Sequence, residues 1–163
     1  MEVGAQGMDA LISVLVMDRT DNEIVAYALE SLLNITQPEP LEDEDPNMPP
    51  MGKQFTEILT KKTENVQSLL SVLDEYDFRV RLPAIKLMTN LLRNRPKEIQ
   101  ETLLVSPMGI SKIVDLLSDS REPVRNEVSF YNFMVLCRMY CYISHRVISS
   151  AFETCRGHPF EFF

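Results

Sequence analysis

The chain has 163 residues, 45% of them hydrophobic and 25% charged, with a net charge of −8. That is enough apolar material for one domain burying about two-thirds of its unfolded surface, so a chain disordered throughout is excluded. The acidic balance repels phosphate backbones and argues against nucleic acid. Five glycines, with no glycine-rich loop and no serine elbow, leave nothing to cradle phosphate or raise a nucleophile, so no enzyme and no cofactor is expected.

The first predicted pair of helices carries Leu11, Ile12 and Leu15 before a polar turn, and Ile24, Ala28, Leu32 and Ile35 after it, apolar at helical spacing. An acidic, Pro-rich segment at 36–52 follows. Five of the ten prolines, together with Glu39, Glu42, Asp43, Glu44 and Asp45, fall within residues 38–50. Proline removes backbone donors and the acids repel one another, which predicts a mobile loop between repeats. Phe55 to Lys62 then reads as a short helix with Phe55, Ile58 and Leu59 inward. Asn65 to Leu92 reads as a second pair, with Leu69, Leu70 and Leu73 before its turn and Val80, Ala84, Met88 and Leu91 after it. Asp74, Glu75 and Asp77 lie on that turn, where capping and solvation explain them. Pro83, inside the last helix of the pair, should kink it.

Pro96 to Val105 reads as the next short helix, Ser106 and Pro107 as an N-cap and first-turn proline, and Ile110 to Leu117 as the helix they start. Across SDSREP the pattern resumes at Val124 and Arg125 and then stops. That would leave Ile110, Ile113, Val114 and Leu117 without a covering helix.

A three-helix unit therefore recurs. Val80 and Val124 stand 44 residues apart, inside the roughly 40–47 of armadillo and HEAT units. Ile24 and Val80 stand 56 apart, the excess being the acidic insertion. Such helices bury their apolar faces only by stacking on copies of themselves, and a third helix per unit favours armadillo over two-helix HEAT. The fold expected is all-α, an armadillo-like helical-repeat solenoid of about two and a half repeats over residues 1–127, built as a scaffold.

From residue 128 the chemistry changes, for residues 130–163 hold nine of the thirteen aromatics, all three cysteines and both histidines. The segment 128–163 reads either as a cap closing the stack or as a tail foreign to it, and the foreign tail is favoured because the break falls inside a helix already under way. Val128 to Ser144 is apolar, but it is too short to span roughly 30 Å of hydrocarbon and carries Arg138. No leader pattern opens the chain, and three late cysteines make no disulfide framework, so a reducing cytoplasmic setting fits. Cys137, Cys141 and His145 would share one helix face, with Cys155 or His158 as a fourth ligand. The spacing matches no common zinc site, and no metal is expected. Lys86, Arg93, Arg95 and Lys97 form the one basic cluster without an intervening acid, either a solvated helix end or a small anionic contact site.

The run MGKQFTEILTKKTENVQSLLSVLDEYDFRVRLPAIKLMTNLLRN, followed by LLVSPMGISKIVDLLSDSREPVRN, closely resembles the globular head of the general vesicular transport factor family, cytosolic tethers of vesicles moving between endoplasmic reticulum and Golgi. MEVGAQGMDALISVLVMDRTDNEIVAYALESLLNI resembles the portion before it, so the likeness covers residues 2–127 in order. The resemblance implies an armadillo-like head, peripheral association with Golgi and transport-vesicle membranes, and protein partners in Rab-family GTPases, SNAREs and golgins. It also implies a dimerising coiled coil and an acidic tail further on; neither heptads nor such a tail is present here, and tethering by this chain alone is not expected.

AYALESLLNIT resembles the third-helix signature of peptide-binding armadillo proteins. That resemblance implies that Asn34, and Asn90 aligned with it, line a concave groove and bond the backbone of an extended ligand, a task suited to an amide because it offers donor and acceptor together. The plainer alternative is that each satisfies backbone groups near a helix end. The groove tryptophans of nuclear import adaptors are absent, since the chain has none. The alternative function is a generic armadillo adaptor that holds extended peptides.

Overall fold

The computed structural model describes residues 2–17, 21–39, 49–106 and 108–129. Seven helices follow in order, α1 (Glu2–Met17), α2 (Asn22–Ile35), α3 (Met51–Thr60), α4 (Thr63–Val72), α5 (Phe78–Asn94), α6 (Pro96–Val105) and α7 (Gly109–Leu116). Residues 122–129 are also helical, and no strand occurs among the described residues.

α2 and α5 start where the sequence supplies a cap. Asp21 and Asp77 precede α2 and α5, and their carboxylates accept from the N–H groups of Glu23 and Arg79, each at 2.9 Å. These bonds satisfy donors that a helix start otherwise leaves bare. Pro96 opens α6 at the position where its missing N–H costs nothing.

Cross-repeat bonds set how the helices stack. Asn22 Nδ2 donates to Asp77 Oδ2 at 3.3 Å where α2 and α5 begin, and Asn94 Nδ2 donates to Thr36 O at 2.9 Å where they end. The two helices therefore run parallel and level. On the other layer Lys62 pairs with Asp9 at 2.9 Å, and Lys112 pairs with Asp74. α1, α4 and α7 thus line one layer, α2, α5 and residues 122–129 the other, with α3 and α6 bridging consecutive pairs. This is a helical-repeat solenoid. Its core runs unbroken from Ile12 and Leu15 through Leu69, Val80, Met88 and Leu91 to Ile99, Ile113, Val124 and Val128, all buried.

Several expectations are corrected. Ile24 is 50% exposed, and Val25, Ala28, Leu29 and Leu32 form the buried stripe of α2. At about 100° per residue Ile24 falls opposite Ala26 and Leu33, which face α5. In α7 the buried residues are Gly109, Ile113 and Leu116, whereas Val114 and Leu117 are exposed. Ile113 and Leu116 line one small cavity with Leu73, Ile85 and Met88 on the core side, a side that Val114 and Leu117 do not reach. Ile113 itself is covered, because Val124 and Val128 of the helical residues 122–129 enter the same core.

Ser106 is not the N-cap of α7. It ends α6, and its carbonyl accepts from Gly109 N–H at 3.1 Å, while Met108 takes the cap position with no side-chain bond. The chain must turn closely there, since a Cβ on Gly109 would stand 2.7 Å from Leu103 O. α3 starts at Met51 rather than at Phe55 and so takes in the last two residues of the expected loop. It does so because Gly52 lets the backbones of α3 and α2 meet; a Cβ on Gly52 would lie 1.8 Å from Gln37 O. Pro83 lies inside α5, as its position in the sequence indicates, and is buried.

Candidate functional site

The sides of α2 and α5 that do not enter the core face one another across a groove. α2 presents Glu23, Tyr27 and Glu30 at helical spacing, and α5 presents Phe78, Arg79, Leu82 and Pro83. Between them lies a cleft of about 380 Å³, within the range of small ligand sites. Ala26 and Pro83 are buried and form its base, while Tyr27 is 60% exposed and stands on its rim. Tyr27 Oη donates to Glu23 Oε1 at 3.2 Å, which fixes the acid over the cleft. On the other wall Arg79 is held by its own neighbour, since Nη2 donates to Asp77 Oδ2 at 3.0 Å. The guanidinium hydrogen bond from Arg79 holds the Asp77 carboxyl below its ordinary range.

Asn34 and Asn90 extend the same two stripes. Each stands seven residues beyond a cleft residue, Tyr27 and Pro83, or about 10 Å along its helix. Asn34 is exposed. Asn90 is half-buried, and its Nδ2 donates to Leu33 O at 3.3 Å, so its amide also holds α5 against α2.

Two further polar centres were not signalled by spacing. Asn94, buried at the end of α5, donates from Nδ2 to Thr36 O at 2.9 Å, to Thr56 Oγ1 at 2.8 Å and to Gly52 O at 3.3 Å. One side chain thus ties the end of α2 to the start of α3. Asp119, whose side chain is 3% exposed, accepts from Arg81 Nη1 at 2.6 Å and from Arg121 Nε and Nη2, each at 2.9 Å. Hydrogen bonding from Arg121, ahead of that from Arg81, holds the Asp119 carboxyl far below the usual carboxylate range against the opposing cost of burial. Arg121 also lies 5.5 Å from the ring centre of Tyr76 and 5.7 Å from that of Phe78. Asp119 is therefore a structural hub between turns 44 residues apart in the repeat pattern, and all its acceptor capacity is used within the chain.

The basic cluster does not gather into one site. Arg95 pairs with Glu57 and with Glu98, Arg93 lies 3.8 Å from Glu39, and Lys86 and Lys97 are on the surface. Among the described residues no group of three His, Cys, Asp or Glu side chains is placed to hold a metal, and no helix is long and apolar enough to cross a membrane. Cys137, Cys141, His145, Cys155 and His158, the whole of 130–163 and most of the acidic loop lie outside the described residues.

No family model matches the chain. It is 50% identical to the human general vesicular transport factor p115 over a match covering 78% of this chain. It is 36% identical to Golgin candidate 6 of Arabidopsis thaliana over 76% of its length, and 33% identical to the intracellular protein transport protein uso1 of Schizosaccharomyces pombe over 93%. The chain spans 14% of each of these relatives. In fold it resembles a crystal structure of Uso1-2, with a TM-score of 0.70 at 22% identity, covering 82% of this chain and 23% of that one. A crystal structure of Uso1-1 gives 0.69 at 24% identity, over 82% and 24%. With half its residues shared across most of its length, and with the helical-repeat fold of the Uso1 structures, the chain belongs to the p115/Uso1 family of general vesicular transport factors, as part of their helical-repeat head.

Proposed function

We propose that this chain serves as part of a vesicle-tethering scaffold in transport from endoplasmic reticulum to Golgi and within the Golgi, acting by binding proteins and catalysing nothing. The observation that carries the reading is the 50% identity to p115 on a stack that leaves a cleft open between parallel helices. The scaffold works at the cytoplasmic face of Golgi and transport-vesicle membranes as a peripheral protein. Its partners are of the classes the family resemblance implies, Rab-family GTPases, SNAREs and golgins. Asn34 and Asn90 contribute amides to the groove along which a partner lies, Asn34 being the freer of the two.

The test is capture of Rab-family GTPases from a purified panel loaded with either GTP or GDP analogues, together with recruitment of the chain to isolated Golgi membranes. Nucleotide-dependent capture of at least one member and membrane recruitment that needs a protein receptor support the scaffold. Recruitment that survives protease treatment of the membranes, with no GTPase captured in either state, overturns it.

A further inference from the structure

We infer that the cleft between α2 and α5 takes an extended segment of a partner protein in which two basic side chains flank an aromatic one at alternate positions. The inference rests on the scaffold reading above and assigns the chemistry of its ligand.

The argument is one of unspent charge. Three charged residues line the groove, Glu23, Glu30 and Arg79, and they are not equally available. Arg79 is engaged with Asp77 through Nε at 3.4 Å and Nη2 at 3.0 Å. Glu30 is exposed and has no side-chain ion pair or hydrogen bond among the described residues, whereas Glu23 accepts from the Tyr27 hydroxyl at 3.2 Å and attracts Arg79 without a direct ion pair. Lys86 follows one turn further along α5 and does not line the cleft. α2 contributes no base at all, so the free charge over the cleft is negative. A basic ligand recovers attraction there that an acidic one loses.

The base of the cleft supplies the second half of the match. Ala26 is small and buried, and Pro83 has no N–H to leave unsatisfied, so a flat ring can rest there without stranding a polar group. The Tyr27 and Phe78 rings at the rim offer edge contacts to an aromatic guest and faces to a guanidinium. Spacing then fixes the pattern. Glu23 and Glu30 are two helical turns apart, about 10 Å. Alternate side chains of an extended strand share a face, and positions i and i+4 stand about 13 Å apart, a gap that flexible arginine stems close.

The experiment uses the 163-residue chain and a fluorescein-labelled peptide with arginine, phenylalanine and arginine at alternate positions between serines, read by fluorescence anisotropy. Saturable binding is expected. Glu23→Gln with Glu30→Gln should weaken it about 10-fold, as should raising salt from about 50 to about 300 mM. Tyr27→Ala should weaken it about 5-fold with unchanged helical circular dichroism. A control peptide with glutamates for the arginines should not bind. Equal binding of the two peptides, or unchanged affinity in the double glutamine variant, overturns the inference. The GTPase panel run on the same preparations separates the two failures, because capture retained without peptide binding removes only this assignment.

Discussion

Asn94 donates from one nitrogen to Thr36 O at the end of α2 and to the Thr56 hydroxyl in α3, so removing its amide takes a donor from buried acceptors in both places, while Gly52 O keeps the Thr56 hydroxyl. Asn94→Ala should cost about 2 kcal/mol. For a chain of this size that is a fall of about 6 °C in Tm, measured by thermal circular dichroism. A change below about 2 °C would mean that water satisfies those acceptors as well as the amide does. Asp119 allows a pH test with a definite sign. Its folded carboxyl titrates below the value of 3.8 taken for the free group, so the unfolded chain binds the proton more readily. The stabilisation is therefore whole above about pH 4 and is lost as acid titrates the carboxyl through its lower folded value. Asp119→Asn should lower stability by about 2 kcal/mol at neutral pH and flatten the acid limb of the stability curve, as followed by urea melts between about pH 2 and 7. An acid limb identical in both proteins would place the titration elsewhere.

At the level of helices, the paired asparagines separate binding from stability. Asn34 is exposed, so Asn34→Ala should leave Tm within about 2 °C of the parent. Asn90 gives a hydrogen bond to Leu33 O, so Asn90→Ala should lose about 1 kcal/mol. If both serve the groove, each should weaken partner binding by roughly 5-fold in a titration, and full affinity in the double variant would leave them a structural role only. The helices themselves were legible in the sequence. Leu69, Leu70, Leu73, Val80, Ala84, Met88 and Leu91 are all buried as their spacing indicates, and α6 runs from Pro96 to Val105 as read. The failures have physical causes. IVAYAL is apolar nearly all round, so periodicity cannot choose between Ile24 and Val25, and the choice is made by where α5 lies. Asn94 depends on partners 38 to 58 residues away, and Asp119 needs Arg81 38 residues away beside its own neighbour Arg121, a register that no local pattern encodes. The groove was visible only through a likeness around Asn34; Tyr27 and Pro83 carried no signal until two helices met.

Across the whole molecule, acids dominate one end and a near balance follows, since residues 1–60 hold twelve acids against Arg19 and Lys53 while residues 61–129 hold eleven bases against ten acids. The insertion that carries many of those acids leaves α2 after Thr36 and rejoins the stack at Pro49, where Gln54 Nε2 donates to the Pro49 carbonyl at 2.8 Å. Replacing residues 40–48 with a Gly/Ser linker of half the length should change stability by only about 0.6 kcal/mol, because closure entropy varies slowly with length. Thermal melts check this, and a drop of about 10 °C would show that the insertion packs on the stack.

The bonds between α2 and α5 have a mechanical consequence. Asn22 with Asp77 pins the two helices where they begin, and Asn94 with Thr36 pins them where they end. Sliding one repeat along its neighbour would break both fastenings together. Asn90, donating to Leu33 O, ties the pair a third time on the groove side. The pair is therefore stiff in shear, and a pull along the groove is carried by these bonds together rather than by one at a time.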